Sequence, residues 1–116
     1  LVPYWDLEFT DGSGEPRDSS SASIAVCGML EMAKYLEAQE KKQYTSLAKK
    51  IMKSLYDSYA VKDAKTSNGL VLHSTYSNKS PYNTCEHKGV DECNSWGDYF
   101  YMEALTRLHK DWELYW

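Results

Sequence analysis

A chain of 116 residues is long enough for one small hydrophobic core, without much margin. Its 13 basic and 17 acidic residues leave a net charge of −4, with no basic stripe of the kind that tracks nucleic acid, so no nucleic-acid partner is expected. No run approaches the ~18 apolar residues of a membrane-spanning helix, so no membrane partner is expected either.

Residues 1–18 read as loop, because Asp11-Gly12-Ser13-Gly14 and Pro16 interrupt regular structure. Leu1-Val2-Pro3 lacks the charged start and apolar core of a signal peptide, and without an initiator Met the natural N-terminus is expected further upstream. Asp18 is a good helix N-cap, able to accept from the amides of Ser20 or Ser21, with Ser19 or Ser20 as alternative caps. From Ala22 to Ala33 the chain is nearly all apolar, which predicts a helix over 19–37 that is buried all round. Its small residues Ala22, Ala25, Gly28 and Ala33 let neighbouring helices approach closely.

The second helix has the clearest periodicity. Tyr44, Leu47, Ala48, Ile51, Met52, Leu55, Tyr56 and Tyr59 follow the i, i+3, i+4, i+7 rule and predict a helix over 41–59. Lys42, Lys49, Lys50, Lys53 and Asp57 occupy the other face, which reads as solvated. The link at 38–41 contains neither Gly nor Pro, so a break there and a single long kinked helix are both open.

Residues 60–95 form a long connection. Asn68-Gly69 signals a turn, Leu70-Val71-Leu72 a short extended segment, and 74–94 is polar with Pro81 inside it. Connections of this length in compact folds tend to be functional or disordered. A third helix is predicted over 96–109, with Asp98 in its first turn at the positive end of the helix dipole. Tyr99, Met102, Leu105 and Thr106 define one face and Phe100, Ala104 and Leu108 widen it, so this helix is expected to be largely buried too. The aromatic tail 111–116 is expected to dock on the body.

The order is buried helix, surface helix, buried helix. A free three-helix bundle gives every helix one apolar stripe and one polar face. Two of these three lack a broad polar face, which points to partner helices elsewhere. Ten Tyr and four Trp suit core packing first, and less strongly the walls of carbohydrate pockets, where flat apolar rings cover sugar C–H surfaces.

Of the three cysteines, Cys27 reads as a buried small hydrophobe. Cys85 and Cys93 can pair in an oxidising compartment, although reduced thiols are favoured. Cys85, His87 and Cys93 carry zinc-ligand chemistry, but the C-x-H-x5-C spacing is not the usual paired arrangement and offers no clear fourth ligand, so no metal is expected. His73, at the end of the short extended segment, reads either as a structural histidine or as one that approaches a pocket. Asn78-Lys79-Ser80 matches a glycosylation sequon.

Three segments in order carry a resemblance: Val2-Pro3-Tyr4-Trp5-Asp6, then Pro16-Arg17-Asp18-Ser19-Ser20-Ser21-Ala22, then Lys88-Gly89-Val90-Asp91-Glu92-Cys93-Asn94-Ser95-Trp96-Gly97-Asp98-Tyr99-Phe100-Tyr101. Together they resemble the C-terminal third of glycoside hydrolase family 88, the unsaturated glucuronyl hydrolases. Family 105, acting on unsaturated rhamnogalacturonan products, is the nearest confusion. The resemblance implies an all-α fold, the C-terminal segment of an (α/α)6 barrel, with residues 1–116 as one partial domain. It implies that 1–18 and 60–95 face the substrate and that the 38–41 link lies at the opposite end.

The implied activity is hydration of the C4=C5 double bond of an unsaturated uronic acid at the non-reducing end of glycosaminoglycan-derived oligosaccharides. An aspartic acid protonates the alkene, water adds at C5, and the hemiketal opens to release the neighbouring sugar. The chemistry needs an acid with a tuned pKa in a water-poor pocket, and no metal or organic cofactor. The resemblance puts the family's catalytic aspartates upstream, so no catalytic residue is assigned to this chain; Asp6, Asp18 and Asp98 are read as structural. It suggests substrate-binding positions at Asn83, Glu86 and Lys88, where some members carry two serines and a lysine that hold a sulfate, and His73 is added as a further candidate. The implied partners are an unsaturated oligosaccharide and either the remainder of the barrel or a second copy, and the implied location is the cytoplasm. The reading from another class is a non-catalytic helical module that binds protein through exposed apolar faces.

Overall fold

The computed structural model describes residues 1–78 and 89–114. Three helices carry the fold: α1 over Ser19–Met32, α2 over Ala38–Ser58 and α3 over Ser95–His109. The other pairings among the described residues are isolated antiparallel bridges, Tyr4 with Arg17, Ala60 with Val71 and Ser74 with Glu92. No described helix is long and apolar enough to cross a membrane.

Asp18 caps α1 as its position predicts. Its carboxylate accepts from the amides of Ser20 at 3.0 Å and Ser21 at 3.1 Å. The helix stops at Met32, five residues before the expected end. Lys34 N donates to Glu31 O at 3.1 Å and Tyr35 N to Met32 O at 3.0 Å, so i→i+3 bonds tighten the last turn and close the helix without Gly or Pro. Residues 33–37 are therefore the link, α2 begins at Ala38, and the single long helix is ruled out. Asn94 starts α3 by accepting from Gly97 N at 2.7 Å.

α1 packs against both α2 and α3. Val26 and Cys27 of α1 meet Ala48, Ile51, Met52 and Leu55 of α2 and Tyr101 and Ala104 of α3, with Val2 and Val71 closing the core. Burying a side chain such as Leu55 stabilises by about 1.5–3 kcal/mol. The extended segment at 70–72 is seated by two devices. Leu72 N donates to Tyr59 O at 2.9 Å. The amides of Leu70 and Val71 donate to Asp98 Oδ1 at 2.9 and 3.0 Å.

The buried faces differ from those expected. Tyr99, Met102 and Leu105 of α3 are 44%, 50% and 40% exposed, and it is Tyr101, Glu103 and Ala104 that point inward. Ile24, Ala25, Gly28 and Met32 of α1 are exposed as well. Leu47 and Tyr56, counted on the apolar stripe of α2, also reach the surface. The cause is geometric: α1 and α3 carry apolar residues round more of their circumference than the helices of this chain can cover.

Candidate functional site

α1 and α3 run parallel, with their N-termini at one end of the fold. Trp96 Nε1 donates to Ser20 Oγ at 3.3 Å, and a Cβ at Gly97 would lie only 3.2 Å from Ser20 Cβ, so the first turns touch. At the opposite end, Arg107 of α3 pairs with Glu31 of α1 at 2.6 Å.

The connection before α3 is fastened to the N-terminal end by a buried polar seam. Ser19 Oγ donates to Leu72 O at 2.7 Å and lies 2.9 Å from Ser74 Oγ. Thr75 N donates to the Asp18 carboxylate at 3.2 Å, and Asp91 N donates to Thr75 Oγ1 at 3.2 Å. Ser19, Ser74 and Thr75 are fully buried or nearly so, and each has a partner, as buried polar groups require.

Above this seam stands a pair of half-exposed rings. Tyr76 and Trp96 pack edge to face, centroids 5.1 Å apart at 77°. Tyr76 OH donates to Glu92 Oε2 at 3.1 Å, and this bond raises the phenol pKa because ionisation would place two negative charges together. The two rings and one carboxylate offer flat apolar area beside a hydrogen-bonding group, the pairing that suits a sugar ring. Sequence reading missed Tyr76 and Glu92, which lie in polar loop. It placed Trp96 on a buried helix, although its position at the helix start exposes part of the ring.

His73 stands at the same end. Its Nδ1 donates to Asp91 Oδ1 at 2.5 Å and its ring meets the edge of Tyr59 at 5.7 Å. Both His73 and Asp91 have left-handed backbones, φ 64° and 59°, a conformation that costs non-glycine residues free energy. Asn83, Glu86 and Lys88 lie outside the described residues, as do Cys85 and His87 of the weighed metal cluster. The two ends of their loop are joined: Tyr76 N and Ser77 N both donate to Gly89 O, at 2.8 and 3.2 Å. Gly89 has φ 86°, and a Cβ there would lie 2.8 Å from that of Ser77, so the junction needs glycine.

The 1–18 loop joins this same end. Glu15 Oε2 accepts from Trp5 Nε1 at 3.0 Å and from Asn78 Nδ2 at 3.2 Å, so the two segments expected to face substrate meet. Asp6, Asp18 and Asp98 each accept from backbone amides. Among the described residues no group of three His, Cys, Asp or Glu side chains could hold a metal ion. Cys27 and Cys93 are free thiols.

Parallel apolar helices packed side by side, an amphipathic helix laid against the first of them and loops gathered at the N-terminal end define a segment of an α/α barrel. No family model matches the chain. It is 49% identical to the unsaturated chondroitin disaccharide hydrolase of Streptococcus agalactiae serotype III (strain NEM316), covering 99% of this chain and 28% of that protein. It is 33% identical to the unsaturated glucuronyl hydrolase of Bacillus sp. (strain GL1), over 99% of this chain and 29% of that protein. A crystal structure of the Streptococcus agalactiae unsaturated glucuronyl hydrolase, an aspartate-to-asparagine mutant complexed with dGlcA-GalNAc6S, superposes with a TM-score of 0.86 over 99% of this chain and 29% of that one. The chain belongs to the unsaturated glucuronyl hydrolases, glycoside hydrolase family 88, and spans about 28% of the length of the curated relatives it matches.

Proposed function

We propose that this chain forms the part of an unsaturated glucuronyl hydrolase that closes the barrel and lines one side of the sugar site. The whole enzyme would hydrate the C4=C5 bond of an unsaturated uronate at the non-reducing end of a glycosaminoglycan-derived oligosaccharide. The observation that carries this reading is 49% identity over 99% of the chain to a chondroitin disaccharide hydrolase. The parent fold supplies the acid and the activated water; residues 1–116, one partial domain, supply binding surface and no catalytic group.

In this reading Tyr76 and Trp96 cover a sugar face, and Asn83, Glu86, Lys88 and His73 serve the sugar next to the uronate. Lys88 attracts an anionic substituent, Asn83 donates a hydrogen bond and Glu86 repels a sulfate, so sulfated substrates bind less well than in serine-bearing relatives. A cytoplasmic site of action fits the free thiols of Cys27 and Cys93.

The experiment is a chimera in which this chain replaces the matching segment of the Streptococcus agalactiae hydrolase. The chimera is expected to cleave unsaturated chondroitin disaccharides, whereas the 116-residue chain alone is inert. A folded chimera without activity refutes the functional assignment. A strong preference of an active chimera for 6-sulfated over unsulfated disaccharide refutes the role given to Glu86.

A further inference from the structure

At the N-terminal end of the fold the ring protons are used internally. Trp96 Nε1 donates to Ser20 Oγ at 3.3 Å, Tyr76 OH to Glu92 Oε2 at 3.1 Å and His73 Nδ1 to Asp91 Oδ1 at 2.5 Å. A carboxylate can only accept, so the proton of the neutral His73 ring sits on Nδ1 and a lone pair is left on Nε2. Among the described residues nothing hydrogen-bonds to Nε2, and the side chain is 47% exposed. Tyr76, its proton given to Glu92, likewise keeps oxygen lone pairs to offer. These rings therefore show solvent apolar faces and acceptors, without a donor of their own.

The arrangement is held at a backbone cost. Asp91 and Glu92 are consecutive, and each fixes one ring. His73 and Asp91 both have left-handed backbones, φ 64° and 59°. Glycine would take either conformation freely, but it could supply neither the imidazole nor the carboxylate.

We propose that His73, Tyr76 and Trp96 form an acceptor-only wall that reads the hydroxyl groups of an uncharged sugar, and that Asp91 is the positioning residue that fixes which nitrogen His73 presents. A sugar hydroxyl has a proton to give to His73 Nε2 or to the Tyr76 oxygen. An ester sulfate or a carboxylate has none, and it meets the charges of Asp91 and Glu92 instead. The wall therefore takes the sugar next to the uronate, unsulfated where it is touched, and not the uronate itself. The inference rests on the sugar-site reading above and adds to it the chemistry of the ligand and a role for Asp91.

Two conservative substitutions in the chimera with the Streptococcus agalactiae hydrolase test it, with unsulfated and 6-sulfated unsaturated chondroitin disaccharides as probes. His73→Asn tolerates the left-handed backbone and keeps an amide N–H for Asp91, but loses the acceptor at Nε2. It is expected to raise KM for the unsulfated disaccharide roughly fivefold, with kcat within about twofold and Tm within about 2 °C. Asp91→Asn offers an amide N–H to Nδ1 and so moves the ring proton to Nε2, turning an acceptor into a donor. It is expected to shift the ratio of kcat/KM values toward the 6-sulfated disaccharide by about threefold or more. Unchanged KM in His73→Asn overturns the proposal, as does a loss in Asp91→Asn that is equal for both disaccharides. A Tm lowered by several degrees with KM unchanged overturns it too, because the pair then only fastens the loop. Calorimetric binding of the unsulfated disaccharide separates this proposal from the activity. A chimera that binds without hydrolysing, and binds more weakly after His73→Asn, defeats the activity alone. An active chimera indifferent at His73 and Asp91 defeats the wall alone, and one that neither binds nor hydrolyses defeats both.

Discussion

The Asp18 carboxylate caps α1 and, through the same oxygen that accepts from Ser20 N, holds the amide of Thr75, 57 residues further along the chain, at 3.2 Å. One side chain therefore sets both the start of an apolar helix and the base of the loop that carries the Tyr76–Trp96 pair. Asp18 is 7% exposed, and Ser20 Oγ donates to it as well. Asp18→Ala removes the cap and leaves the Thr75 amide buried without an acceptor. The expected loss is about 2–4 kcal/mol of unfolding free energy, from a cap worth ~1 and a buried unsatisfied amide worth ~1–3. Denaturant unfolding of the chimera measures it. Asp18→Asn keeps one acceptor oxygen and is expected to lose less.

Asp98 has a comparable role at the start of α3. A carboxylate in the first turn was legible as a partner of the helix dipole, but its two bonds to Leu70 and Val71 join positions that only the fold brings together. Asp98→Ala is expected to cost about 2 kcal/mol and to raise hydrogen exchange at the amides of Leu70 and Val71 before it affects the rest of the fold. Equal protection of those two amides in wild type and variant would contradict this.

The contrast between these residues shows what the sequence could and could not reveal. The three helices, the Asp18 cap and the solvated lysine face follow from period and local chemistry, so they were readable to within a few residues. The end of α1 was not, because the turn at 33–37 is closed by i→i+3 bonds and by Lys34 donating to Trp112 O, neither of which leaves a Gly or Pro signal. The inward face of α3 was misread for a different reason: its apolar residues run most of the way round the helix, so apolarity does not mark which of them α1 covers, and Tyr99, Met102 and Leu105 face outward. The Tyr76–Trp96 pair depends on the Ser74–Glu92 bridge, a long-range pairing without a local pattern.

Trp96 and Tyr76 are expected to affect binding more than turnover. In the chimera, Trp96→Ala is expected to raise KM for an unsaturated chondroitin disaccharide roughly five- to tenfold with kcat changed less than twofold, the signature of lost ground-state contact. Tyr76→Phe keeps the ring, loses the bond to Glu92 and is expected to give a smaller rise. An unchanged KM in Trp96→Ala would remove these rings from the sugar site.

Free thiols at two depths are expected to react very differently. Burial, reinforced by the nearby Glu103 carboxylate, raises the Cys27 pKa to about 12. On the order of one thiol in 10⁵ is then ionised at pH 7. Cys93 is exposed. Iodoacetamide labelling of the native chain, read by peptide mass spectrometry, is expected to modify Cys93 long before Cys27. Comparable rates at the two positions would show that α1 and α3 open readily.

The far end of the fold is held by a charged chain. Arg107 Nε donates to Glu103 Oε1 at 2.7 Å, with both side chains buried, and Arg107 also bridges to Glu31, itself paired with Lys34. Burial works against the Arg107 charge, but the bonds to Glu31 and Glu103 outweigh it and its pKa rises. Removing one member strands the others: Arg107→Met is expected to cost about 3–5 kcal/mol, and the double variant Arg107→Met with Glu103→Leu less than that single one, because the buried carboxylate leaves with its partner. Glu31 gives the pH dependence. Its pKa is lowered, first by the hydrogen bond from Lys34 and then by that from Arg107. A depressed folded pKa means that the unfolded chain takes up the proton first as pH falls. The stabilisation is complete above the ordinary value of 4.5 and is lost progressively below it, through the lower folded value. Glu31→Gln is therefore expected to flatten the fall in stability below about pH 4.5, measured as denaturant midpoint against pH, and an equally steep fall in the variant would place the acid sensitivity on other carboxylates.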